Sequence, residues 1–289
     1  MSLETITNQL GQLIQRMDQF LEQSTSDNRQ PQLDLDQYLA FRWHNHYQHL
    51  IPVIHPDLTD ISDLIGIDAQ IKRLDQNTRQ FLQDLPANHV LLWGDRGTGK
   101  SSLVKGMLVR YASDGLRLIE VGKQGLLFLP EIVETVWGRS EKYLLFCDDL
   151  SFNVEESAYR ELKAMLEGGI SARPENVLIY ATSNRRHLMP RQVSDNKFPI
   201  DDADELYPRE STEEKVSLSD RFGLRLAFYR ISRPTYLQIV SHYAQRREID
   251  LSDQELHQLA LEWEANSSVR SGRAARQFID DLEGQLRLQ

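Results

Sequence analysis

The nine residues GDRGTGKSS, at positions 94–102, constrain the fold of this chain more than any other stretch. They contain three glycines, one lysine and three hydroxyl groups, and they directly follow the apolar run VLLW at 90–93. Glycine adopts backbone conformations that other residues avoid, so a turn this rich in glycine can direct several backbone N–H groups inward. The stretch therefore predicts a tight loop between a strand and a helix, suited to holding an anion.

Five apolar runs indicate the architecture around this loop. They are HVLLW (89–93), LRLIEV (116–121), YLLFC (143–147), NVLIYATS (176–183) and LRLAFY (224–229). Runs that are short and apolar throughout are typical of strands buried on both faces of a parallel sheet. Helical patterns separate most of the runs, for example at 101–114 and 156–169, which predicts an α/β sheet with right-handed crossovers.

The flanking segments divide the chain further. Through the first 22 residues apolar side chains recur at spacings of three and four, which predicts an amphipathic helix over 1–22, followed by a polar linker over 23–34. We predict an α/β core over 35–233 that contains a long acidic insert at 195–214, and a helical domain over 234–289. The first helix either packs on its own domain or binds a partner or a second copy, and both roles stay open.

Composition narrows the class of protein. The formal net charge of −10 argues against a nucleic-acid binder held by bulk charge, although a local basic patch would suffice. The only cysteine, Cys147, cannot form an internal disulfide, and no apolar run approaches the length of about 18 residues that a membrane helix needs. We therefore expect a cytoplasmic protein without membrane contact. His44, His46 and His49 lack an intervening carboxylate or cysteine, so we interpret them as structural rather than metal-binding.

Gly94, Gly99, Lys100 and Ser101 have the spacing of a phosphate loop, in the required position between a strand and a helix. We expect Lys100 to bind the β- and γ-phosphates of a nucleotide and Ser101 to ligate Mg²⁺. The positive end of the helix dipole adds to the attraction for phosphate. Nucleotide binding is therefore assigned to the whole loop, that is to Gly94, Asp95, Arg96, Gly97, Thr98, Gly99, Lys100, Ser101 and Ser102.

Two further strands end in polar side chains. Asp148 and Asp149 follow the strand YLLFC, and Asn184 follows NVLIYATS. Because the carboxyl ends of parallel strands form the ligand crevice of such a sheet, these side chains should meet the phosphate loop. We expect Asp148 to hold Mg²⁺ through water, Asp149 to polarise the attacking water, and Asn184 to orient that water or touch the γ-phosphate.

Together these three strand ends resemble those of the AAA+ ATPases, where they are called Walker A, Walker B and sensor 1. Asp63-Leu64-Ile65-Gly66 is similar to the turn that flanks adenine in that family, which implies nucleotide contacts by Ile65 and Gly66. The resemblance implies a P-loop NTPase fold, with a three-layer αβα core, a parallel sheet of order 5-1-4-3-2 and a small all-α lid. ATP and Mg²⁺ are the implied cofactors. Asp149 stands where many members carry Glu, and the shorter acid is compatible with slow turnover.

Two arginines extend the resemblance. LSDRFGLRL (218–226) is similar to the segment that carries the arginine finger, which makes Arg221 the candidate, with an intramolecular ion pair as its alternative role. SGRAARQF (271–278) resembles the sensor 2 helix of the lid, where Arg276 fits best and Arg273 second. In that family the finger faces the nucleotide of a neighbouring subunit. The resemblance therefore implies a homo-oligomeric ring, such as a hexamer.

A closer resemblance is to the bacterial domain-of-unknown-function family 815, whose members are predicted AAA+ ATPases. It spans about residues 35–289 and rests on the runs PANHVLLWGDRGTGKSSLVKGML, FCDDLSF, GGISARPENVLIYATSNRRHL, LSDRFGL and SGRAARQFIDDL. The N-terminal helix lies outside it. The resemblance to this family implies a nucleotide-driven machine and does not identify the client on which it acts.

Three functions fit these observations. The first, which we expect, is an ATPase that converts its nucleotide state into movement of the lid against the core and acts on an unknown protein or nucleic-acid client. The second is a nucleotide-dependent switch or nucleic-acid loader that uses slow hydrolysis as a timer. The third is an ATP-binding scaffold whose chemistry is vestigial, and a measurement of turnover separates it from the other two.

Overall fold

A sheet of seven strands runs through the described part of the chain in the order β2–β1–β4–β5–β6–β3–β7. The strands are β1 (Ala40–His44), β2 (His49–Pro52), β3 (Val90–Gly94), β4 (Leu116–Glu120), β5 (Lys142–Cys147), β6 (Val177–Ser183) and β7 (Leu224–Phe228). The computed structural model describes residues 35–152, 157–168, 174–185, 188, 218–267 and 269–288. The predicted N-terminal helix over 1–22, the linker over 23–34 and the acidic insert over 195–214 lie outside these residues.

Contacts divide the chain into two units, Met1–Gln37 and Tyr38–Gln289. Of the first unit only the short helical turn Leu35–Gln37 is described. All of the strands and the longer helices described below belong to the second unit.

The five predicted strands are present, and each is parallel to its neighbour in the series β7–β3–β6–β5–β4. Numbered among themselves, they have the expected order 5-1-4-3-2. The prediction for the sheet as a whole was incomplete, because β1 adds to β4 in parallel and β2 adds to β1 in antiparallel orientation. The alternation in β1 is too short to stand out in the sequence: Phe41 and Trp43 are buried, while Arg42 between them is exposed and pairs with Glu120 at 2.7 Å.

Helices cover the sheet on both faces, so it forms the middle layer. Within the described residues these helices are α1 (Asp68–Leu82), α2 (Lys100–Tyr111), α3 (Leu129–Val136) and α4 (Ser157–Glu167). Leu92 of β3 packs in one apolar cluster with Leu74 of α1 and Met107 of α2. Leu91 alternates to the opposite face and is fully buried there as well. Burial on both faces explains why the predicted strands are apolar throughout.

Three more helices follow the last strand and pack around a second apolar cluster. They are α5 (Arg233–Arg246), α6 (Asp253–Ser267) and α7 (Gly272–Leu288). The cluster joins Tyr236 of α5, Ala260 of α6 and Phe278 of α7, and Ile65 from the segment before α1 packs against it. This helical part therefore contacts the turn for which adenine binding is predicted.

The histidine-rich turn between β1 and β2 is an aromatic cluster. The rings of His44 and Tyr47 stack with their centroids 4.6 Å apart, and His46 and His49 each pack against Tyr47. No group of three His, Cys, Asp or Glu side chains within the described ranges could hold a metal ion. In the same ranges, no helix combines the length and the apolar character needed to cross a membrane.

Candidate functional site

The predicted phosphate loop connects β3 to α2, and its glycines adopt conformations that suit few other residues. The φ angles are +136° at Gly94, +72° at Gly97 and +96° at Gly99, which precedes the first residue of α2. At Gly94 a Cβ atom would lie 1.8 Å from the carbonyl oxygen of Phe228 in the neighbouring strand β7. Glycine therefore lets the start of the loop lie directly against β7.

Replacing Gly94 with alanine should lower the free energy of unfolding by about 3 to 5 kcal/mol, because the left-handed conformation and the overlap with β7 both oppose the methyl group. Gly115→Ala is the matched control, since Gly115 has a φ angle of +88° and a methyl group placed there would have no atom within 4 Å. It should cost only about 1 to 2 kcal/mol. Denaturant unfolding of both variants measures the difference, and equal losses would contradict the close packing at Gly94.

The side chain of Lys100 lies across the loop rather than in solvent. Its Nζ donates to the carbonyl oxygens of Gly94 and Asp95 at 2.9 and 2.6 Å, and to Oδ1 of Asn184 at 3.2 Å. Lys100 is 6% exposed. Burial lowers the pKa of its ammonium group, and the nearby carboxylates, with Asp149 first, partly oppose that shift. The loop thus holds a poorly hydrated cation that lacks a direct carboxylate partner among the hydrogen bonds described.

The two acids after β5 meet the start of α2 and the end of β6. Ser101 Oγ donates to Oδ1 of Asp148 at 2.6 Å, and Thr182 Oγ1 donates to the same oxygen at 2.5 Å. Asn184 Nδ2 donates to Oδ1 of Asp149 at 2.5 Å. Three neighbouring strands therefore bring two hydroxyls, two carboxylates, an amide and a lysine to one edge of the sheet.

These groups face a cavity of about 620 Å³ between the carboxyl edge of the sheet and the helices α5 and α7. Its volume suits a ligand the size of a nucleotide. Most of the residues predicted to bind nucleotide or metal line it, namely Ile65, Arg96, Gly97, Thr98, Gly99, Lys100, Ser101, Ser102, Asp148, Asp149, Asn184 and Arg276. Arg273, the second choice for sensor 2, lines it as well.

Four predicted residues do not line the cavity. Gly94 and Asp95 instead give their carbonyl oxygens to Lys100. Gly66, with a φ angle of +81°, lies against α5, where a Cβ would come within 2.5 Å of Thr235 Cγ2. Arg221 lies just before β7, and its Nε donates to Glu167 Oε1 at the end of α4 at 2.5 Å. The intramolecular ion pair considered for Arg221 is thus present, with Glu167 among its partners.

The lid and the segment between β7 and α5 contribute residues that the sequence analysis did not identify. Ile231, Ile239 and Tyr243 line the cavity on the side of Ile65, and burial is the main cause that raises the pKa of Tyr243. Asp63, at the start of the adenine-flanking turn, contacts His242 Nε2 at 2.7 Å and pairs with Arg246 of α5. These are isolated residues in the sequence, and no local motif distinguishes them from ordinary positions of a helix or a connecting segment.

An ion pair lines the cavity next to the phosphate-loop helix α2. Lys105 of α2 donates to Oδ2 of Asp57 at 2.8 Å, and both residues line the cavity. The hydrogen bond and charge of Lys105 lower the pKa of the Asp57 carboxyl group. Only the position of Lys105 one turn beyond the phosphate loop could have suggested its place at this site.

The fold and the site define the class of protein. Five core strands in the order 5-1-4-3-2, a glycine-rich lysine loop after the first of them, acids after the third and a helical lid make up the AAA+ type of P-loop NTPase fold. Within that class, the chain belongs to the family described as "Protein of unknown function (DUF815)", whose model matches residues 36–286. No curated protein matches the sequence.

Solved structures with a similar fold include the RuvB Holliday junction branch migration motor of Thermotoga maritima. It is 15% identical, has a TM-score of 0.45, and is matched over 78% of this chain and 72% of that chain. The FIGL-1 AAA domain in complex with ADP is 18% identical, with a TM-score of 0.48 over 69% of this chain and 65% of that chain.

Proposed function

We propose that the protein binds ATP together with Mg²⁺ and hydrolyses ATP to ADP and phosphate. The observation that carries this proposal is the meeting of Lys100, Ser101, Asp148, Asp149 and Asn184 at one edge of the sheet, in a cavity that the lid helices also line. These side chains supply a cation for phosphate, hard oxygen donors for a divalent metal and a carboxylate that can accept a proton.

Binding of the triphosphate would rest on the phosphate loop and Lys100. The ammonium group is buried and held by carbonyl oxygens, so phosphate oxygens would be better partners for its charge than the neutral groups that hold it. The backbone N–H groups at the start of α2 would add to this attraction. Ile65, Ile231 and Ile239 belong to the apolar cluster of the lid and also line the cavity, where they would offer an apolar surface that suits a purine base.

The residues present fit a magnesium ion. Ser101 Oγ and Asp148 Oδ1 lie 2.6 Å apart, and both are hard oxygen donors, the kind that Mg²⁺ prefers. Nucleotide-dependent sites need few protein ligands, because phosphates and waters complete the coordination. Ser101 and Asp148 would hold the ion, which when bound would neutralise charge on the phosphate oxygens.

Asp149 would act on the water that attacks the γ-phosphate. Its carboxylate is oriented by Asn184 and faces the same cavity as Lys100, so it would accept the proton of that water as a general base. Asn184 forms hydrogen bonds with both Asp149 and Lys100. A change in its contact with the γ-phosphate would therefore alter the positions of both groups. Arg276, which lines the cavity from the lid, would balance negative charge there.

We further propose that the site is shared between subunits of a homo-oligomeric ring, such as a hexamer. Arg221 does not line its own chain's cavity and pairs with Glu167. Its resemblance to the arginine finger supports a role at the nucleotide of a neighbouring subunit, where it would exchange Glu167 for phosphate. Because α5 and α7 line the cavity directly, a change at the phosphates would move the lid against the core. That movement would do work on a protein or nucleic-acid client.

Lys100→Ala tests the binding step. We expect ATP affinity to fall by about 100-fold or more, because the main positive charge in the loop is removed from a poorly hydrated site. Lys72→Ala is the matched control, since Lys72 is an exposed lysine of α1 and does not line the cavity. Titration of each folded variant with a fluorescent ATP analogue measures the effect. An unchanged affinity in Lys100→Ala would contradict the proposed phosphate site.

A further inference from the structure

Thr182 is a buried residue at the end of β6 that touches both acids of the site. It is 2% exposed and pairs in register with Leu92 of β3. Its carbonyl oxygen accepts from the backbone N–H of Leu150 at 2.7 Å, which holds the chain after β5 against β6. In the sequence it looks like an ordinary β-branched strand residue, so nothing about it suggests a role in the site.

The hydroxyl of Thr182 uses both of its hydrogen-bonding modes on these acids. It donates to Oδ1 of Asp148 at 2.5 Å and accepts from the backbone N–H of Asp149 at 2.9 Å. A hydroxyl has one donor and two acceptor positions, so one oxygen can serve both contacts. The bond to the carboxylate is charge-assisted and short, which places it among the stronger side-chain hydrogen bonds.

The backbone of Asp149 has an unusual conformation that these contacts stabilise. Its φ angle is +50°, a left-handed conformation that residues other than glycine seldom adopt. In a regular strand, consecutive side chains point to opposite faces. The left-handed residue interrupts that alternation, and the side chains of Asp148 and Asp149 line the same cavity. The hydrogen bond from Asp149 N–H to Thr182 Oγ1 stabilises the turn in which this happens.

We propose that Thr182 is a positioning residue for both acids. Through its donor it holds Oδ1 of Asp148 beside Ser101, and through its acceptor it holds the turn that directs Asp149 towards Asn184. The proposal rests on the ATPase function proposed above. Loss of the hydroxyl should therefore misplace the acids and leave the phosphate loop and Lys100 as they are.

Thr182→Val tests this inference, because valine keeps the branched shape and removes only the hydroxyl. We expect the kcat for phosphate release to fall about 10- to 100-fold, the usual cost of removing a partner that orients a ligand or catalytic group. The affinity for ATP without Mg²⁺ should stay within about twofold of the wild-type value. With a non-hydrolysable ATP analogue, the Mg²⁺ concentration for half-maximal binding should rise. Thr182→Ser should restore both properties.

Thr78→Val is the matched control for loss of a buried threonine hydroxyl. Thr78 lies in α1 and is fully buried, and its hydroxyl donates to Leu74 O and hydrogen-bonds Tyr180 Oη, both at 2.9 Å. None of these three residues lines the cavity. The Thr78→Val variant should leave unchanged both kcat and the Mg²⁺ midpoint, that is, the Mg²⁺ concentration for half-maximal binding of the analogue. Thr182→Ala takes the place of Thr182→Val in both readouts if the valine variant does not fold.

The outcomes separate this inference from the proposed function. Wild-type values of kcat and of the Mg²⁺ midpoint in a folded Thr182 variant would overturn the positioning role, as would equal losses in Thr78→Val. If the wild-type protein itself shows no turnover, the ATPase function fails. The Mg²⁺ midpoint of analogue binding then still decides whether Thr182 positions Asp148.

Discussion

Asp149→Asn should stop ATP hydrolysis and leave ATP bound. The amide keeps the shape of the side chain and its oxygen can still accept from Asn184, but it cannot take a proton from the attacking water. We expect kcat to fall by at least about 100-fold, the lower range of what a general base contributes. Phosphate release gives the rate, and titration with a fluorescent ATP analogue confirms that binding is retained.

Asp148→Asn provides the comparison, because the two acids are adjacent and their proposed roles differ. Asp148 shares its Oδ1 with Ser101 and Thr182, so its loss should weaken Mg²⁺-dependent nucleotide binding as well as turnover. Two variants with the same binding defect would argue that the acids act as one metal site. Hydrolysis at the wild-type rate in Asp149→Asn would show that the base is another group.

Arg221→Ala and Lys100→Ala should each be inactive alone and recover activity when mixed. An arginine finger contributes about 10³- to 10⁵-fold in enzymes of this chemistry, so loss of Arg221 should reduce turnover on that scale. In mixed rings, the Arg221→Ala subunit supplies an intact phosphate loop and the Lys100→Ala subunit supplies the arginine. With random assembly at equal amounts, about one quarter of the sites combine both. Over a series of mixing ratios, phosphate release should be highest at equal amounts of the two variants. There it should reach about one quarter of the wild-type rate.

Arg225→Ala is the control for removal of a nearby arginine. Arg225 is half-exposed on β7 and pairs with Asp220, so its loss should leave turnover close to the wild-type value. Two inactive variants that co-assemble, as shown by light scattering or tag exchange, but stay inactive at every ratio would rule out a shared site. A constant specific activity in a demonstrated monomer would do the same.

The central features of the fold could be predicted, because each has a local signal. The five core strands are apolar throughout since both faces of the sheet are buried, and Gly94 to Ser101 mark the turn from β3 to α2. The strands β1 and β2 could not be recognised. Phe41 and Trp43 are the large buried side chains of β1, Leu50 is that of β2, and the pairing of β1 with β4 joins residues more than seventy positions apart.

Some residues of the candidate site could be predicted from the sequence and others could not. Lys100 and the acids follow strands in the sequence, so the topology of a parallel sheet was enough to bring them together. The lid residue Tyr243 and the contact of Asp63 with His242 depend on how helices pack, which spacing along the chain does not encode. The pairing of Arg221 with Glu167 also depends on tertiary packing. The sequence could not predict it, because several other acids lie nearer to Arg221 along the chain.

The most direct test of the account is phosphate release from ATP by the wild-type protein, measured with Mg²⁺ and with EDTA and alongside Lys100→Ala. We expect release that continues beyond one phosphate per subunit, saturates with ATP, requires Mg²⁺ and is lost in the variant. A folded wild-type protein that binds ATP and releases no phosphate above background would contradict the proposed ATPase. Release that persists unchanged in Lys100→Ala would contradict the assignment of the activity to this site.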